Sequence, residues 1–104
     1  MAVKTFKRMT PVLVKAAADY TSIPAKTIMS KSRERYVCYT RFALMWVIRS
    51  EIGLSLLRIA EELGLSDHST VINGLKRAED LMKKSEAFRN LVEHLSDIVL
   101  KEAA

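Results

Sequence analysis

The stretch from Ser55 to Met82, SLLRIAEELGLSDHSTVINGLKRAEDLM, limits the fold more than any other part of the chain. Leu56, Ile59, Ala60 and Leu63 stand at i, i+3, i+4 and i+7, which makes one apolar stripe along a helix. Ser55 is placed to cap the start of that helix, because its hydroxyl can accept from a first-turn N–H that has no partner within the helix. Gly64 is placed to end it, because glycine takes positive φ at little cost. Leu65 and Ser66 carry the chain round, and Ser66 or Asp67 caps a second helix with Val71, Leu75, Ala78 and Met82 on its apolar face. His68, Ser69, Thr70, Asn73, Lys76 and Arg77 fall on or near the outer side. The first turn of the second helix thus carries hydrogen-bonding side chains at an exposed N-terminus. Such a plan is a helix-turn-helix, in which the start of the second helix meets base edges in the major groove.

The remaining segments are read as helical too. Apolar residues make up 49% of 104 positions, which is enough for one modest core, and the whole chain 1–104 is read as a single domain. With only 3 Gly and 2 Pro there is little material for hairpin turns, so the fold class is all-α. The expected architecture is a compact helical domain: a central helix-turn-helix, preceded by a basic loop and a long helix, and followed by a C-terminal amphipathic helix. A formal charge of +5 favours an anionic partner. The charge is uneven: the first 35 residues hold eight Lys/Arg against Asp19 and Glu34, whereas the remainder holds nine against ten acidic residues.

Taken in order, residues 1–9 read as a basic, frayed start. Thr10-Pro11 reads as an N-cap followed by proline at the first helical position, with Val12, Val14, Ala17 and Ala18 on a helix that ends near Tyr20. Ala25 to Met29 is short enough for one helical turn, and Ser30-Lys31-Ser32-Arg33-Glu34-Arg35 is a polar basic loop or helix entry. A long helix then runs from Glu34 to Arg49, burying Val37, Leu44, Val47 and Ile48. Trp46 is assigned to the core rather than to a stacking platform, and Arg41 and Arg49 project to touch phosphate or simply to be solvated. Residues 86–101 form an accessory C-terminal helix carrying Phe88, Leu91, Val92, Leu95, Ile98 and Val99. That helix either packs on the core or makes a homodimer through Phe88, Leu91, Leu95 and Ile98.

Residues 17–79 resemble the C-terminal DNA-binding domain of the bacterial replication initiator DnaA. Four features carry the resemblance: Ala18-Asp19-Tyr20 with Ile23, the basic loop from Ser30 to Arg35, Arg41 in the long helix, and Asp67-His68-Ser69-Thr70-Val71 at the second helix of the helix-turn-helix. The resemblance implies that the last of these enters the major groove of a short A/T-rich site. Asp67 would then accept from a cytosine amino group, His68 would meet a neighbouring base, and Ser69 and Thr70 would reach base or phosphate. Arg33 matches the family's minor-groove arginine, and a narrow A/T-rich groove with its more negative potential suits a guanidinium. Lys31, Arg35, Arg41, Arg49 and Lys76 are the phosphate contacts that the resemblance implies. Three places depart from the family pattern: Phe42 replaces a polar Gln, Leu57 a Pro, and Leu65-Ser66 a Gly-Arg pair, so one arginine is missing.

Other chemistries find little support in the residues. Asp67, His68 and Ser69 include the residue types of a hydrolytic triad, but consecutive helical positions point about 100° apart and cannot align. Cys38, His68 and His94 lack metal-ligand spacing, Cys38 is read as buried packing, and His94 as a surface residue. There is no Gly-x-x-x-x-Gly-Lys-Ser/Thr loop, so no nucleotide, cofactor or enzymatic activity is expected of this chain. The apolar run Phe42–Ile48 is too short for a membrane span, Lys15 and Pro11 interrupt the opening apolar segment, and a cytoplasmic, nucleoid-associated location is expected. The expected partner is double-stranded DNA, read in replication or transcription. The alternative is a helical protein-protein interaction module that has lost DNA binding.

Overall fold

The computed structural model describes residues 9–103, and every described element is helical. Helix α1 spans Met9–Thr21, α2 Ala25–Ile28, α3 Arg35–Val47, α4 Leu56–Glu62, α5 His68–Lys84 and α6 Glu86–Ala103. The frayed start expected over residues 1–9 lies outside the described residues except at Met9, which is helical and buried. Thr10 is a buried helical residue and not the expected cap. Helix α1 stops at Thr21, whose hydroxyl donates to the Ala17 carbonyl at 2.7 Å and accepts from the Ile23 N–H at 3.2 Å.

Helix α3 is the central element and packs against α1, α2, α5 and α6. Its N-cap is Glu34, whose carboxylate accepts from the Tyr36 N–H at 3.4 Å. Val37, Ala43, Leu44, Met45 and Val47 are buried, and so is Ile48 just beyond; the buried run 43–45 covers more than one face, as a helix packed between neighbours requires. The helix does not end cleanly near Arg49. Ile48–Ile52 forms one wider π turn that closes at Gly53, where φ is +81° and the absence of a Cβ removes the strain. Trp46 is half-buried and packs against the core.

The helix-turn-helix follows its sequence closely. The Ser55 hydroxyl accepts from the Arg58 N–H at 3.1 Å, Gly64 turns at φ +70°, and the Asp67 carboxylate accepts from the Ser69 N–H at 3.0 Å. Ile59, Ala60 and Leu63 of α4 and its turn are buried, as are Val71, Gly74 and Ala78 of α5, with Leu75 and Met82 only half-buried. Gly74 lies on the buried side of α5 between Val71 and Ala78. A Cβ there would stand 2.3 Å from Met45 Sδ, so glycine lets α5 lie directly against α3.

Ser85 separates α5 from α6, and its hydroxyl accepts from the Phe88 N–H at 3.1 Å. Phe88, Leu91, Val92, Leu95 and Val99 are buried, and α6 lies against α1 and α3. Of the two alternatives for this helix, packing on the core is what its residues do: Phe88, Leu91 and Leu95 fill the chain's own core, and Ile98 is half-buried beside them. The apolar surface of the three buried residues is already out of water. His94 is half-buried and not a freely solvated side chain. It is stacked on Tyr20 with centroids 4.6 Å apart.

Candidate nucleic-acid interface

Two elements hung on α3 build the candidate surface: the loop before its first turn and the N-terminal half of α5. Asp67, His68, Ser69 and Thr70 are all exposed at the start of α5. Side-chain exposure is 55% for His68 and 60% for Asp67, so neither is drawn into the fold. His68 Nδ1 lies 3.5 Å from Asp67 Oδ1. The Ser69 backbone N–H, and after it the Ser69 hydroxyl, hold the Asp67 carboxyl below the usual carboxylate range. Asp67 therefore stays ionised, able to accept hydrogen bonds, while the free N–H groups of the helix start favour a nearby anion.

The basic loop approaches α5 from the side. Arg33, Arg35 and Thr70 line one groove of about 600 Å³ together with Asn73 and Arg77. Cys38, Tyr39, Phe42 and Gly74 form the rest of its wall, and no carboxylate is among the lining residues. The guanidinium groups of Arg33 and Arg35 thus bound a trough whose other wall is the outward face of α5, which adds a third in Arg77. Cys38 is half-buried at this trough and not enclosed packing as expected. A second cleft, of about 320 Å³, is lined by Arg49 and Lys76 together with Trp46 and Glu79. Lys31 is exposed on the loop and lines neither cavity.

Two of the expected phosphate contacts have other partners as well. Arg49 is exposed, but one of its terminal nitrogens donates to the Leu54 carbonyl at 2.7 Å and ties the π turn to the entry of α4. Arg41 is half-buried. Its Nε donates to the Ile28 carbonyl at 2.7 Å, and its Nη2 donates to the Ser30 carbonyl. These donors are directed at the chain's own backbone and not outward.

Asn73 and Arg77 were not among the expected site residues. Their signal was present, since 70, 73 and 77 recur on one face of a helix, but the pairing of that face with Arg33 and Arg35 is tertiary. At the positions that depart from the family pattern, Leu57 is 62% exposed, Ser66 is exposed, and Phe42 is half-buried at the groove.

Residues 12–78 match a family model described as the bacterial dnaA protein helix-turn-helix. The chain is 31% identical over 84 residues to the chromosomal replication initiator protein DnaA of Thermomicrobium roseum, covering 80% of this chain and 18% of that protein. It is 34% identical over 87 residues to the protein of the same name from Spiroplasma citri, covering 83% of this chain and 19% of that one. The chain therefore spans about a fifth of the length of these curated relatives. A crystal structure of a DNA replication initiation factor shares the fold, with a TM-score of 0.81 over 97% of this chain and 31% of that one at 24% identity. Among the described residues no helix is long and apolar enough to cross a membrane.

Proposed function

The chain belongs to the bacterial DnaA helix-turn-helix family, and from that premise we propose that it is a sequence-specific reader of double-stranded DNA. Helix α5 enters the major groove by its N-terminus, where Asp67, His68, Ser69 and Thr70 meet base edges. Arg33 enters the adjacent minor groove, and Lys31, Arg35, Arg49 and Lys76 hold phosphates on either side. Its target is a short A/T-rich box of the kind a replication initiator would occupy, and its task is regulation of replication initiation, or of transcription, by occupying such boxes on the nucleoid.

The observation that carries this reading is the groove where Arg33 and Arg35 come together with Thr70, Asn73 and Arg77 of α5, with no carboxylate among the lining residues. A surface docking another protein has no need of that charge excess beside a row of exposed hydrogen-bonding side chains at a helix start. Selection of bound duplexes from a random library is expected to enrich an A/T-rich asymmetric box. Affinity for that box is expected to fall when Arg33 becomes alanine, and base preference to relax when His68 does. No enrichment at low ionic strength, where phosphate contacts are strongest, would overturn the proposal.

A further inference from the structure

We propose that Arg41 is a positioning residue that aims Arg33, by fixing the path of the basic loop from the protein side; this rests on the DNA-reading role just given. Arg33 is exposed and makes no hydrogen bond or ion pair among the described residues, so no polar contact of its own side chain fixes its place and the path of its backbone matters most. That backbone is held at alternate carbonyls. The Ile28 and Ser30 carbonyls accept from Arg41 Nε and Nη2, and the Ser32 carbonyl faces the Cys38 thiol at 3.9 Å. Cys38 and Arg41 are one turn apart on α3, and a terminal nitrogen of Arg41 lies 3.9 Å from the Cys38 sulfur. The other ties in the loop are short serine turns: Ser30 Oγ accepts from the Ser32 N–H and Ser32 Oγ from the Glu34 N–H, each at 3.2 Å. Such turns shape neighbouring residues but do not tie the loop to the body of the protein. Arg41 supplies the strongest such tie, through charge-assisted bonds from a half-buried group.

The chemistry is specific to arginine. A planar guanidinium offers donors in a rigid fork that meets two carbonyls at once, whereas a lysine ammonium is a single point on a flexible stem. A phosphate contact would tolerate lysine; a two-carbonyl brace would not. The two roles therefore separate by experiment.

The full chain is compared with R41A, R41K, R33A and the R33A/R41A double variant on the selected box and on a version with its A/T tract replaced by G/C. Both Arg41 variants are expected to lose roughly tenfold in preference for the A/T box, as R33A does. The double variant should be no worse than R33A alone, because Arg41 acts only through Arg33. In the absence of DNA, ¹⁵N relaxation of residues 30–34 should show increased fast motion in both Arg41 variants. If R41A does not fold, R41K carries the comparison. Restoration of preference by lysine, multiplying losses in the double variant, or an unchanged loop in the relaxation data would each overturn the proposal. Failure of the unaltered chain to bind any duplex would overturn the DNA-reading role instead, and the relaxation data would still decide whether Arg41 orders the loop.

Discussion

Replacing Gly74 with alanine is expected to lower stability, although alanine is the better helix former. The substitution sits in the interior of α5, where removing a glycine gains about 1 kcal/mol of helix propensity. Against this, the new Cβ would stand 2.3 Å from Met45 Sδ, 3.1 Å from its Cε and 3.3 Å from Phe42 Cδ1. Ordinary carbon and sulfur contacts lie at about 3.5–4.0 Å, so the sulfur has to retreat by more than an ångström. Sδ and Cε are the flexible end of Met45, but the residue is 1% exposed, so it can retreat only against its core neighbours. Overpacking of this kind costs about 1–3 kcal/mol. The net effect is therefore a loss of around 1 kcal/mol, or a fall of about 4–8 °C in midpoint for a domain of this size. Urea unfolding followed by Trp46 fluorescence measures it. Met45→Ala removes the obstacle at a cost of its own of about 2–5 kcal/mol. On that background the same glycine change should become stabilising, because only the propensity gain and partial filling of the gap remain. A stabilising Gly74→Ala in the unaltered chain, or the same sign in both backgrounds, would refute the reasoning.

Protonating Asp67 should loosen the first turn of α5. Its carboxyl titrates lower folded than unfolded, so its contribution to stability is present above the ordinary carboxylate pKa and is lost as pH falls through the depressed folded value. The Ser69 amide resonance, followed through acid titration, should shift only below the ordinary carboxylate range, and Asp67→Asn should remove that shift while keeping the cap. Arg77→Ala should weaken binding to all duplexes alike and reduce the slope of log affinity against log salt by about 0.9, the signature of one lost phosphate contact. A change in base preference with an unchanged slope would contradict that role. Sedimentation equilibrium at high concentration should return a monomer, because the α6 stripe is buried within the chain; a dimer would show that another face associates.

What could be read from the sequence was what neighbouring residues decide. Ser55 and Asp67 cap because hydroxyl and carboxylate oxygens reach N–H groups two or three positions on, and that geometry is the same in any protein. The stripes of α3, α4 and α5 were legible because burial follows the helical period. The exposure of Asp67 to Thr70 followed from the same count. The rest depended on contacts between distant segments. Nothing near Gly74 in the chain announces that Met45 faces it, and nothing near Arg41 shows that the Ile28 and Ser30 carbonyls turn toward it. Amphipathicity alone left open whether α6 would bury its stripe on α1 and α3 or on another molecule. The wide turn at Ile48–Ile52 likewise has no local signal beyond Gly53, since one extra residue in a turn leaves the composition unchanged.

Both reading elements are carried by α3: the loop through Arg41 and the Glu34 cap, α5 through the Gly74 contact with Met45. On the proposed reading the two are jaws of one caliper, which would gauge the offset between two neighbouring grooves as well as the letters in them. An RNA–DNA hybrid, with its deep, narrow major groove and wide, shallow minor one, presents the wrong gauge. On the proposed reading such a hybrid should be rejected even when it spells the favoured box, and transcripts paired across that box would make it invisible to this protein.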